Sequence, residues 1–126
     1  PALPVYATDH APADLVSRPD DAVLPLSSLR GRRVVLLSAI ARPQSFRATC
    51  AGLGAEVVNE LRYRDHHRFT ADELQRAAAA ARAADAVLLT TAKDDARLGD
   101  AELPRQVLRV ALRFLGPEPP AAELLL

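Results

Sequence analysis

Nine residues, Arg32 to Ile40 (RRVVLLSAI), constrain the fold of this chain more than any others. From Val34 to Leu37 they offer no polar side chain to either side, and a strand that is apolar on both faces has to be covered on both. Such a strand belongs in the middle of a sheet with helices above and below. Ala86 to Thr91 (AVLLTT) repeats the pattern, and Ala55 to Tyr63 (AEVVNELRY) reads as a further strand through Val57, Val58, Leu61 and Tyr63. Between these strands the spacing predicts two helices. The first, Pro43 to Leu53, starts on a proline that a first helical turn tolerates. It carries Phe46, Cys50 and Leu53 at helical spacing and meets a left-handed stop at Gly54. The second runs from Thr70 to about Ala84, opened by Thr70 and Glu73, the pair in which each side chain caps the other's backbone amide. Ala92 to Leu98 reads as a short turn or helix, and Gln106 to Phe114 (QVLRVALRF) as a half-exposed fourth strand. Strands alternating with helices imply right-handed crossovers. The expected class is α/β, a small mostly parallel sheet with flanking helices in a Rossmann-like three-layer arrangement.

At 126 residues, 49% of them hydrophobic, the chain can build one core. Residues 1–28 are proline-punctuated, with a short apolar run at Val5 to Ala7 and paired acids at Asp20 and Asp21. They are expected to be a linker and edge strand from a preceding domain, outside the core, with 29–126 as the α/β domain. The absence of methionine and the start at Pro1 read as part of a longer translation product. One cysteine, Cys50, makes no internal disulfide, and no apolar run spans a membrane, so a reducing cytoplasm is expected. Sixteen basic residues balance 16 acidic ones, so any anion binding must be local. With three phenylalanines, two tyrosines and no basic helix face, a nucleic-acid role is not expected.

In open α/β sheets ligands meet the loops at the carboxyl ends of the strands. The titratable residues concentrate in three such loops. RDHHRFT places Asp65, His66 and His67 between Arg64 and Arg68. A carboxylate beside a histidine can fix its tautomer and tune a proton acceptor, and flanking arginines suit a phosphorylated ligand. The same letters also describe a solvated loop whose Asp65 bonds local amides. TTAKDD carries Lys93, the single lysine among 16 basic residues. Its ammonium could serve a phosphate or a neighbouring carboxylate, or simply pair at the surface with Asp94 or Asp95. In AIARPQSF, Arg42 and the amides of a helix starting at Pro43 could receive an anion, or form an ordinary turn. No metal site is expected, since adjacent histidines rarely face the same way and His10 lies in the linker. Cys50 is expected to be a packed thiol. G-x-x-x-x-G-K-[ST] and G-x-G-x-x-G are both absent, so the chain carries no P-loop.

Taken in order, the three loops resemble the carboxyl-terminal half of the tetraacyldisaccharide 4'-kinases of lipid A biosynthesis, from about Pro4 to Leu126. LLSAIARPQSF is similar to a strand followed by Gly-Ile-Gly-x-Pro-x-x-Phe. GLGAEVVNELRYRDHHRFTADEL resembles the family's Leu-Gly-Ala segment running into an Asp-His loop and capped helix. LLTTAKDDARL resembles its Thr-Glu-Lys-Asp segment, and VLRVALRFLG fits its tail. The resemblance implies a kinase whose other half carries the P-loop, binds ATP and Mg2+, and sits on the cytoplasmic face of the bacterial inner membrane. This half would close over the site of a lipid A precursor disaccharide. It further implies that His66 interacts with a catalytic carboxylate from the other half, that Asp65 orients His66, and that Lys93 and Asp94 support the site. Arg42, Arg64 or Arg68 is expected on phosphate. Ala39 and Ala41 stand where the family shows glycines and Ala92 where it shows glutamate, which keeps a second expectation open, a non-catalytic, degenerate kinase-like binding module. The Asp-His-His letters also occur in a manganese phosphoesterase family, but the strand ending at Ile40 supplies none of the further aspartates such a site needs.

Overall fold

The computed structural model describes residues 7–115, and the surroundings of side chains from 11 to 111. The start of the apolar run at Val5 and the last residues assigned to the 29–126 domain lie outside the described residues. The chain forms β1 (Ala7–Arg18), β2 (Val23–Leu24), a 3-10 turn (Leu26–Leu29), β3 (Arg33–Ser38), α1 (Pro43–Gly52), β4 (Glu56–Arg62), α2 (Ala71–Ala83), β5 (Val87–Thr91), α3 (Ala92–Leu98) and β6 (Arg105–Leu115). All six strands join one sheet in the order β2-β1-β6-β5-β3-β4. β4, β3, β5 and β6 run parallel, while β1 is antiparallel to both β6 and β2.

The apolar run does what its pattern requires. Val34, Val35, Leu36 and Leu37 are all fully buried, and because successive strand residues point to opposite faces they supply two cores. Val34 and Leu36 pack with Phe46 and Cys50 of α1, together with Leu15, Leu89 and Leu108. Val35 and Leu37 pack with Ala77 and Ala81 of α2, together with Leu88, Leu98 and Leu103. The sheet is therefore covered by α1 on one face and by α2 and α3 on the other, the expected three layers. The local signals hold as well. Pro43 is the first residue of α1, Gly54 sits at φ +93°, and Thr70 and Glu73 form a complete capping box on α2.

One expectation is corrected. The segment before residue 29 is not an edge outside the core, because β1 lies second in the sheet, paired along its length with β6. Leu15 and Val16 are buried, and Arg18 reaches Asp95 of α3 at 3.1 Å. The polar letters around Leu15 hid this. A strand between two antiparallel neighbours near a sheet margin needs only a few inward side chains, whereas the doubly covered β3 needs apolar residues throughout.

The chain passes from β3 outward to β4 and returns across β3 to β5. The order therefore reverses between β3 and β5, and the loops after these strands flank the place where open α/β sheets hold their ligands.

Candidate functional site

At that reversal the loops after β3, β4 and β5 are tied to the backbone of a single residue, Ala39. The tie begins with α3. Thr91 caps the helix, its Oγ1 accepting the Asp94 N–H at 3.1 Å and donating to Asp94 Oδ2 at 2.7 Å. This exchange turns the Asp94 carboxylate inward, where it is fully buried. There both its oxygens accept the Ala39 N–H at 3.2 Å. Arg97, almost one helical turn further on, donates through Nη1 to Asp94 Oδ1 at 3.1 Å and to the Ala39 carbonyl at 2.6 Å. Its Nη2 donates to His66 Nδ1 at 3.2 Å. The His66 backbone N–H closes the loop on the same Ala39 carbonyl at 3.2 Å.

His66 occupies the left-handed region at φ +66°, a conformation that a residue other than glycine keeps only where its surroundings impose it. Its imidazole is fixed chemically too. A guanidinium has only donors, so Nδ1 facing Arg97 must be the acceptor and the neutral ring carries its hydrogen on Nε2. The His66 side chain is 81% exposed, so that hydrogen is offered outward.

The other expected residues distribute around this core. Asp65 is exposed, and its Oδ2 stands 3.7 Å from His66 Nε2, beyond hydrogen-bond reach; the group that holds the His66 ring is Arg97. His67 turns away from His66. Its Nε2 lies 2.7 Å from Glu73 Oε1, its ring stacks on Tyr63 with centroids 4.9 Å apart, and Phe69 meets both rings edge-on. Glu73 also accepts the Thr70 N–H at 2.8 Å. The His67 contact and the Thr70 amide hold its carboxyl below the usual range. Arg68 is exposed and lines a cleft of about 530 Å³ with His66, Phe69, Leu74 and Arg97. Arg64 is exposed, and its carbonyl accepts the His67 N–H at 2.9 Å. Arg42 is exposed at the N-cap of α1, and Lys93 is exposed as the second residue of α3. Among the described residues, no side-chain hydrogen bond joins Arg42, Arg64 or Lys93 to the Ala39 cluster.

Among the described residues no group of three or more His, Cys, Asp or Glu side chains is placed to hold a metal ion. Cys50 is buried in the α1 core. Burial, and then the negative charge of Glu60, push its thiol up to about 12, so it stays a thiol. Ala39 and Ala41 are both absent from the residues with positive φ, so alanine here carries no left-handed strain. Arg97 is the residue that sequence reasoning missed. Its only local signal is the i, i+3 spacing from Asp94, which any exposed helical ion pair would share.

The family model described as tetraacyldisaccharide-1-P 4'-kinase, LpxK, matches residues 2–126. The tetraacyldisaccharide 4'-kinase of Anaeromyxobacter sp. (strain Fw109-5) is 52% identical over 92 residues, covering 73% of this chain and 25% of that protein. The enzyme of the same name from Syntrophus aciditrophicus (strain SB) is 35% identical over 116 residues, covering 87% and 30%. Among solved structures, the "apo" form of LpxK from Aquifex aeolicus in complex with ATP superimposes with a TM-score of 0.59 at 23% identity, over 89% of this chain and 32% of that one. The chain thus spans a quarter to a third of the length of these relatives. It belongs to the tetraacyldisaccharide 4'-kinase family.

Proposed function

We propose that this chain is the carboxyl-terminal α/β domain of a longer ATP-dependent lipid kinase of its family, one that phosphorylates the 4'-hydroxyl of a tetraacyldisaccharide 1-phosphate in lipid A biosynthesis. The P-loop lies in another domain of that longer protein, and the present domain is inactive without it. The observation that carries this reading is the gathering of three strand-end loops on Ala39, with His66 held so that its Nε2–H faces outward beside an arginine-bearing cleft.

Phosphoryl transfer depends mainly on positioning and charge stabilisation, together with an acceptor for the hydroxyl proton. His66 meets the first need as a donor to a carboxylate from the P-loop half, keeping that base aimed at the hydroxyl. Arg68, with Arg42 or Arg64, contacts phosphate as the halves close. Asp94 supports the site by holding Ala39, and Lys93 adds positive charge at its rim. Asp65, close to Nε2 but not bonded to it, completes the surroundings of the ring. ATP and Mg2+ are placed in the other half. The sequence carries no P-loop motif, which supports that placement. The full protein works on the cytoplasmic face of the inner membrane, where its lipid A precursor lies. Among the described residues no helix is long and apolar enough to cross a membrane. Nucleic acid is not a partner.

The test is His66→Ala in the full-length kinase. Misplacing the base that His66 aims costs on the order of 100-fold, so kcat is expected to fall by about that factor in a protein that keeps its circular dichroism. Loss of no more than a few-fold sinks the assignment. A second reading, a degenerate binding module, is favoured by the missing P-loop motif and by Ala39, Ala41 and Ala92, and opposed by the retained Asp65, His66, Lys93 and Asp94. It predicts that the full-length wild-type protein binds the disaccharide and transfers no phosphate.

A further inference from the structure

We infer that Arg97 is the positioning residue of His66, the side chain that fixes which ring nitrogen is offered to the reacting partners; this rests on the role given to His66 above. Both hydrogens of Nη1 are committed inward, one to the buried Asp94 carboxylate and one to the Ala39 carbonyl, at 3.1 and 2.6 Å. The guanidinium is planar and rigid, so anchoring Nη1 fixes Nη2 as well, and Nη2 reaches His66 Nδ1 at 3.2 Å. Asp94 has a defined part in this. Its buried negative charge draws the guanidinium into the loop junction, and its grip on the Ala39 N–H fixes the carbonyl that both Arg97 and the His66 backbone use. His66 is thus held at its backbone by Ala39 and at its ring by Arg97, although its side chain is mostly exposed. An exposed imidazole without such a partner rotates about χ1 and χ2 and offers either nitrogen. With Arg97 in place Nδ1 is turned inward as an acceptor and only Nε2–H remains to donate outward.

The experiment is steady-state kinetics on the full-length kinase carrying Arg97→Met, Arg97→Gln and Arg97→Lys, alone and with His66→Ala. Misplacing a reacting group by about 1 Å costs on the order of 100-fold, and Met removes the donor while keeping the stem. We therefore expect kcat to fall at least ~10-fold in Arg97→Met, with KM for ATP changed less than ~3-fold and thermal stability compared in parallel. Gln and Lys each retain a donor for Nδ1 and should recover much of kcat. In the His66→Ala background Arg97→Met should cost little more, because its effect passes through the ring. Histidine-labelled full-length protein should show the 15N signal of an unprotonated Nδ1 on His66, altered in Arg97→Met. Recovery by Lys alone would mean that Arg97 acts by charge on phosphate and would overturn the inference. So would kcat within ~2-fold in Arg97→Met, or an undiminished further loss in the double variant. If His66→Ala by itself leaves kcat unchanged, the reading of His66 fails instead, a separate outcome.

Discussion

Replacing Asp94 gives the sharpest stability test of the Ala39 junction. The carboxylate is fully buried and is approached only by donors, the Ala39 N–H, the Thr91 hydroxyl and Arg97 Nη1. Asp94→Ala strips the acceptor from all three. The half-buried Thr91 hydroxyl can turn toward water, but the Ala39 N–H cannot, and Arg97 keeps only neutral partners. An orphaned buried donor costs roughly 1–3 kcal/mol; Arg97 is exposed and can be solvated once its partner is gone, so the lost ion pair adds no more than about 1 kcal/mol. A net loss of about 2–4 kcal/mol is therefore expected, a large part of the ~5–15 kcal/mol of a typical domain. Asp94→Asn sharpens the test. Asn has nearly the same shape, but its amide holds one acceptor oxygen where the carboxylate holds two, and its NH2 faces a donor whichever way it is turned. Asn is expected to regain little, leaving a loss of about 2–3 kcal/mol. Urea unfolding of the chain followed by far-UV circular dichroism reads both, as a lowered midpoint with unchanged slope. A wild-type midpoint in Asp94→Asn, or losses below ~1 kcal/mol in both variants, would refute the reasoning.

Three further outcomes follow from the same geometry. Thr70→Ala removes half of the α2 capping box and should lower stability by about 1 kcal/mol, with Thr70→Ser restoring most of it in the same urea assay; equal stability in all three proteins would contradict the cap. Cys50, buried with its thiol pushed up to about 12, should resist Ellman's reagent at pH 8 in the native chain and react at once in urea, and rapid native labelling would show that the α1 core opens. Acid should destabilise the fold through Asp14, Glu60 and Glu73. The Arg109 hydrogen bond lowers Asp14. Burial pushes Glu60 up, but Arg62 and Arg47 outweigh it. The His67 contact lowers Glu73. Groups lowered in the folded state stabilise it fully above their ordinary values and lose that contribution as pH falls through the lowered ones. The loss is therefore expected below about pH 4, read as unfolding midpoint against pH, and a Glu60→Gln, Glu73→Gln chain should show a shallower acid limb.

How much of this was legible in the letters depended on how local the cause was. β3 announced itself because a strand covered on both faces needs an unbroken apolar run, and Val34 to Leu37 supply it. α2 announced itself through Thr70 and Glu73, whose mutual capping needs only three residues of chain. β1 did not, because its place between β2 and β6 asks for few inward side chains, and Leu15 and Val16 stand among proline and polar residues. The loop residues were legible as candidates, since doubly wound sheets put their chemistry at the carboxyl ends of strands, but their mutual roles were not. Asp65 is next to His66 in sequence and lies beyond bonding distance of it, while Arg97 is 31 residues away and holds the ring.

The sequence by itself determined the class of fold, the helix starts and stops, the family, and which three loops carry the polar residues. All of these follow from periodicity and capping within a turn or two of chain, or from motif order along it. Only the tertiary structure decided that Asp94 points inward to the Ala39 amide across 55 residues and that Arg97 bridges from there to His66. The physical reason is that a hydrogen bond between distant residues leaves no period in the chain. Any of the 15 arginines could have been the partner, and it was the return of the chain across β3 to β5 that brought Arg97 to the ring.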